Sequence, residues 1–200
     1  MAEWKTSRPI LLAALALLGL GVLGALAGLG ALGYIKSGLF NVAASKPHTK
    51  LTQWVTEETM KHSIRRHARA IEVPRVRYPA ARILYGFCEY ETRCVACHGA
   101  AAVPRGEWAS GMEPKPPYLL DATERWTPAE LFWIVQNGIK MTGMPSWRAS
   151  LSDEQIWDLV AWLEAARRMP PQTYLRWRAE RPCARFTPLP FPGSSPTPRP

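Results

Sequence analysis

Cys94-Val95-Ala96-Cys97-His98 constrains this chain more than any other stretch. Two cysteines three positions apart with histidine next are the attachment pattern of a c-type haem: the thiols add to the two vinyl groups and the imidazole becomes an axial iron ligand. One helical turn holds both thiols along one porphyrin edge and brings the next residue beneath the iron. Two other chemistries use part of this pattern. C-x-x-C alone serves thioredoxin-type redox pairs, and with histidine it forms half of a zinc site. A zinc site needs a second ligand pair, whereas Cys88 and Cys183 stand alone and no H-x3-5-H pair lies nearby. His62 and His67 come closest, in a basic segment upstream.

The 200 residues carry a formal charge of +9, unevenly distributed. Residues 36–82 hold ten Lys/Arg against three acids, residues 83–170 eight against eleven, and residues 171–200 five against one. Basic arms thus flank a mildly acidic, motif-bearing core, which fits an anionic membrane surface or acidic partner better than nucleic acid. No recognition helix or RNA-binding motif is present, and no nucleic-acid partner is expected.

Residues 1–9 form a short polar start, expected to be cytoplasmic. Residues 10–35 then run without a charge, rich in Leu, Ala and Gly. As a helix they span roughly 39 Å, enough for a hydrocarbon core of about 30 Å. An uncleaved anchor is favoured over a signal peptide, whose apolar region runs about 7–15 residues, although Ala25-Leu26-Ala27 offers a cleavage pattern. Bacterial c-type haem is attached outside the cytoplasmic membrane, so a single pass through the inner membrane would put the haem domain in the periplasm. Gly24 and Gly28 form a small-xxx-small pair, which in so Gly- and Ala-rich a segment reads as incidental spacing.

Residues 36–79 comprise a connector and a basic amphipathic helix, with Leu51, Trp54, Val55, Met60, Ile64, Ala68 and Ile71 near one stripe. Two readings stand side by side: an interfacial stalk on the membrane, or a helix packed on the haem domain with its basic face in solvent. Residues 80–171 read as the core domain. A helix over 80–93 leads into the attachment motif, and Gly99 permits a tight positive-φ turn after His98. A long loop punctuated by Pro104, Gly106, Gly111, Pro114, Pro116 and Pro117 follows, of a kind that would wrap a flat cofactor. Thr127-Pro128-Ala129-Glu130 and Ser152-Asp153-Glu154-Gln155 are capping boxes that start two further helices, the first ending at Asn137-Gly138. Residues 172–200 read as a tail, extended or disordered over its proline-rich part, 186–200.

A haem iron with one imidazole needs a second ligand or an open site. Met144, between Gly143 and Pro145 on an interhelical loop, is preferred to Met141 because its neighbours constrain it. Thioether ligation favours reduced iron and raises the potential. Methionines that merely fill the core are the ordinary alternative, but the attachment motif creates a demand for such a ligand. No paired carboxylates, nucleophile triad or phosphate loop accompanies the motif, and Glu89 and Glu91 read as a solvated helix face. The expectation is an electron carrier rather than an enzyme, with no small-molecule substrate.

The pairing of C-x-x-C-H with Gly143-Met144-Pro145, and the run Phe132-Trp133-Ile134-Val135-Gln136-Asn137-Gly138 leading to it, resembles the class I cytochromes c, most closely the membrane-anchored monohaem proteins. The resemblance spans residues 80–171. It implies an all-α, cytochrome c-like haem domain behind an N-terminal transmembrane helix and a helical stalk. It implies one covalently attached haem c, with Cys94 and Cys97 as thioether residues, His98 as proximal ligand and Met144 as distal ligand. The Pro116-Pro117 segment then lies on the proximal side, where one of its carbonyls can accept the His98 Nδ1 proton. Trp126, Trp133 and Trp147 are candidates to line the haem. The implied function is single-electron transfer at the periplasmic side of a bacterial respiratory chain, from a donor such as a quinol-oxidising complex to an acceptor such as a terminal oxidase. The alternative is an obligate haem c subunit of a larger oxidase or dehydrogenase. A haem sensor with open iron would require that Met144 not bind. In an oxidising compartment Cys88 and Cys183 can pair, provided their Cα atoms approach within roughly 4.4–6.8 Å.

Overall fold

Both capping boxes form, and they fix where two of the core helices begin. In the computed structural model, which describes residues 3–75, 78–180 and 183, Thr127 caps the helix Pro128–Asn137 and Ser152 caps Asp153–Ala166. In each box the capping hydroxyl accepts from the backbone N–H three residues on, and the Glu130 or Gln155 side chain accepts from the cap's own N–H. The first of these helices ends at Gly138, whose φ of 67° favours glycine.

Eight α-helices follow one another along the described residues: α1 (Glu3–Lys36), α2 (Lys50–Ala68), α3 (Ala80–Arg93), α4 (Val95–His98), α5 (Ala122–Arg125), α6 (Pro128–Asn137), α7 (Asp153–Ala166) and α8 (Pro171–Glu180). A short 3-10 turn spans Glu107–Gly111, and among the described residues no strand forms beyond one isolated bridge between Ala100 and Val103. The fold is all-α.

The chain divides into two units, Met1–Lys46 and Pro47–Pro200. In the first, α1 begins earlier than the apolar run does and accommodates Pro9 inside the helix. Its stretch Arg8–Lys36 is long and apolar enough to cross a membrane, with its leucines exposed.

In the second unit the core is built where α3 crosses α7. Gly86 makes that crossing possible: a Cβ there would stand 2.0 Å from the Asp158 carbonyl oxygen and 2.7 Å from the Trp162 Cβ. Gly86→Ala is therefore expected to cost about 1–3 kcal/mol, toward the upper end because the obstacle is backbone. Chemical denaturation measures it, and an unshifted midpoint contradicts the close approach. Phe87 sits at the centre, edge-on to Trp162 at 5.1 Å, Tyr174 at 5.6 Å and Trp177 at 5.4 Å. Burying Phe87 contributes on the order of 1.5–3 kcal/mol.

Beside Gly86, Arg82 of α3 donates from Nε to the buried carboxylate of Asp158 on α7. Burial dominates this pair and pushes the Asp158 carboxyl up to about 6 from an ordinary 3.8, against the opposing pull of Arg82. The folded protein thus binds the Asp158 proton more tightly than the unfolded chain does. The stability this group lends is fully present below about pH 4 and is lost as pH rises toward 6, by up to about 1.4 kcal/mol per unit. In Asp158→Asn that component is expected to vanish. Parallel urea titrations of the two proteins across pH 4–7 test it, and equal pH slopes refute it.

Two segments differ from the sequence reading. Residues 172–180, read as the start of a tail, belong to α8, because Tyr174 and Trp177 share a face that closes over Phe87. Glu91, read as solvated, holds α8 in place by accepting from the Tyr174 hydroxyl and, at 2.9 Å, from Arg178 Nε. Glu89 is likewise engaged, accepting from Arg93 Nε at 2.6 Å. Residues 186–200 lie outside the described residues.

Helix α2 packs on the rest of its unit over only part of its length. Thr49 caps its start, accepting from the Thr52 N–H at 3.2 Å. Its C-terminal half packs on α6, burying Ile64 and Ala68 and bringing His67 within 5.6 Å of the Trp133 ring. Its N-terminal half packs on nothing comparable: Leu51 and Trp54 remain 69% and 63% exposed.

Candidate functional site

Helix α3 ends at Arg93, and Cys94 serves at once as its C-cap and as the N-cap of the single turn α4. The N–H groups of Cys97 and His98 both donate to the Cys94 carbonyl, at 3.1 and 2.9 Å. This closes the turn with both thiols and the imidazole on a short, rigid segment. Gly99 ends it with φ of 64°, the left-handed conformation that its position required. The Tyr90 hydroxyl donates to the Gly99 carbonyl, tying the turn back to α3.

His98 is buried, 8% exposed. Its Nδ1 lies 2.7 Å from the Pro117 carbonyl oxygen. A carbonyl only accepts, so Nδ1 carries the proton and Nε2 keeps its lone pair free for a ligand bond. Burial chiefly lowers the His98 pKa, with the Arg105 charge acting the same way and the Pro117 bond opposing. The ring is therefore held neutral and oriented, as an axial ligand must be.

Cys94 and Cys97 are both free and half-buried. Burial, reinforced by the nearby Glu89, pushes the Cys94 thiol up to about 12. A thioredoxin-type pair depends on a depressed thiol pKa, so this environment disfavours that rival. The zinc alternative finds no support either: among the described residues, no group of three or more His, Cys, Asp or Glu side chains is placed to hold a metal ion. Two unpaired thiols beside a buried imidazole with one free nitrogen do match the donor set of a covalently held haem.

Met144 lies on the loop between α6 and α7 and is half-buried. Its N–H donates to the Thr142 hydroxyl at 3.1 Å, and its carbonyl accepts from the Ile139 N–H at 3.2 Å. The loop closes tightly on Gly138, where a Cβ would meet the Met144 and Pro145 carbonyl oxygens at 2.7 Å. Met141, the competing thioether, is 88% exposed and adopts a positive φ of 59°. A third sulfur went unnoticed in the sequence: Met112 lies against Gly143, its methyl 1.8 Å from where a Cβ would stand. Of the candidate tryptophans, Trp126 and Trp147 pack partly buried against the core, whereas Trp133 meets His67 of α2. Trp147 also carries the Arg93 guanidinium 5.6 Å from its ring centroid.

One all-helical unit thus carries the C-x-x-C-H turn, a histidine fixed through Nδ1 and a methionine loop between α6 and α7. Residues 83–163 match the family model described as cytochrome C oxidase, cbb3-type, subunit III. The matched segment is less than half of the chain, and it contains Cys94, Cys97, His98 and Met144. It supports a c-type cytochrome, a class of haem protein that transfers electrons. No curated protein matches the chain.

Proposed function

We propose that this protein is a membrane-anchored monohaem cytochrome c passing single electrons on the periplasmic side of a bacterial respiratory chain. Cys94 and Cys97 hold the haem covalently, His98 binds through Nε2 and Met144 supplies the sixth ligand. The observation that carries this reading is the His98 Nδ1 contact with the Pro117 carbonyl, 2.7 Å, directly behind the attachment turn. Haem c supplies the one-electron ferric/ferrous couple. The protein's part is to orient the imidazole and raise its basicity through Pro117, and to keep Met144 on a tightly closed loop. The apolar stretch Arg8–Lys36 supports the anchor.

Purification from membranes in mild detergent tests the whole reading. Haem staining that survives a denaturing gel is expected, together with a six-coordinate spectrum that changes on reduction. Absence of denaturation-resistant haem refutes it. Protease treatment of intact spheroplasts is expected to digest the haem domain, and full protection there refutes the periplasmic placement.

A second reading has one observation in its favour: the matching family model is that of an oxidase subunit. In it the same domain is the obligate haem c subunit of a larger oxidase or dehydrogenase. The same purification separates the two, since a free carrier elutes alone and a subunit brings stoichiometric catalytic chains with it.

A further inference from the structure

His98 is oriented by a carbonyl that belongs to a proline preceded by another proline. Neither Pro116 nor Pro117 has an N–H, so this segment cannot be pinned by its own backbone donors. Something outside it must hold the Pro117 carbonyl in place.

Arg105 meets that need from both sides. Its Nη1 donates to the carbonyl of Pro116, one residue before Pro117. Its guanidinium carbon lies 4.0 Å from the ring centroid of Tyr118, one residue after. The backbone beside Arg105 is in turn fixed to the attachment turn, because the Gly106 N–H donates to the Ala96 carbonyl at 2.7 Å. Gly99 completes the circuit: a Cβ there would stand 2.6 Å from the Tyr118 ring and 3.0 Å from the Arg105 backbone nitrogen. The attachment turn, Arg105 and the segment 116–118 thus form one closed unit around the histidine.

We propose that Arg105 is a positioning residue for the haem histidine, fixing the Pro117 carbonyl by gripping Pro116 and Tyr118 on either side of it. This inference rests on the proposed ligation by His98. A planar guanidinium suits the task because it can donate in its plane while stacking its face on an aromatic ring; a lysine ammonium keeps the charge but cannot do both.

The test uses the full-length protein in detergent, in the ferrous form, with 15N-labelled histidine. The exchange rate and 15N shift of the His98 Nδ1–H are read by NMR in wild type, Arg105→Lys and Arg105→Gln. Both variants are expected to retain haem while exchange of that proton speeds up by about tenfold or more, with a shift change toward a weaker hydrogen bond. Arg105→Lys responding like Arg105→Gln separates grip from charge. Tyr118→Leu, which removes only the stacked ring, is expected to move the same signals in the same direction and serves if the Arg105 variants fail to assemble. Tyr174→Phe, a change at the α8 contact, is expected to leave them unmoved. Unchanged exchange in the Arg105 variants, or in Tyr118→Leu where those do not assemble, overturns the proposal, as does an equal response in Tyr174→Phe. A wild-type protein whose His98 does not bind haem overturns the functional reading, and this inference with it.

Discussion

Met144→Ala is expected to leave haem covalently attached while removing the weak red charge-transfer absorption of the ferric iron–sulfur bond and lowering the midpoint potential by on the order of a few hundred millivolts. The size of the effect follows from what a thioether does. It is a neutral, soft ligand that stabilises ferrous iron, and its removal leaves water or an open position. Met144 sits on a closed loop: its backbone is held at both N–H and carbonyl, and Gly138 allows the loop to close against the end of α6. Met141→Ala is expected to change neither absorption nor potential, because that side chain is exposed on a positive-φ residue. Met112→Leu serves as the second control, since Met112 packs against Gly143. Retention of the charge-transfer band in Met144→Ala, or its loss in either control, assigns the sixth ligand elsewhere.

The features that proved legible in the sequence are those in which chemistry is local. Helix α3 ends where the attachment motif begins, Gly99 takes the positive φ its turn requires, and both capping boxes start their helices, because each signal involves residues within four positions of one another. The acceptor for His98 Nδ1 is implied only by the resemblance to class I cytochromes c, which points to a carbonyl of Pro116-Pro117; in the structure it is that of Pro117. Arg105 escaped notice because its partners lie eleven and thirteen positions away, and no periodicity marks a loop arginine. Glu91 escaped for the same reason. On α3 it looked like one more exposed acid, and only the return of α8, more than eighty residues later, gives it Tyr174 and Arg178 to bind.

Helix α2 shows a different limit. Its stripe was found, but a stripe reports which residues share a face and not what covers them. The covering differs along its length: α6 takes Ile64 and Ala68, while Leu51 and Trp54 keep their exposure. Helix α8 shows a third. Residues 172–180 read as the start of a tail, although Pro171 at the first helical position is compatible with a helix, and the apolar partners that decide the matter sit on α3 and α7.

Breaking the bridge between Cys88 and Cys183 is expected to cause a large stability loss. The two cysteines are joined in the structure, their Cα atoms 5.3 Å apart and 95 positions apart in sequence. A cross-link closing a loop of that length restricts the unfolded chain by about 4–5 kcal/mol in the chain-entropy account, and removal of native bridges costs about 2–5 kcal/mol. Cys183→Ser is expected toward the lower part of that range, about 2–3 kcal/mol, because α8 keeps other holds on α3 through Glu91, Tyr174 and Arg178. Those holds and the bridge secure the same helix, so Tyr174→Phe in the Cys183→Ser background is expected to cost more than in wild type. Wild-type protein offers a parallel route, since a thiol reductant opens the bridge and leaves haem thioethers intact. Urea midpoints with and without reductant measure the loss, and alkylation counts the thiols released. Two alkylatable cysteines in untreated native protein, or equal midpoints in both conditions, contradict the bridge. A loss of the expected size instead ties α8 to the helix that leads directly into Cys94, so that reductive opening is also expected to loosen the start of the attachment turn and quicken amide exchange along α3.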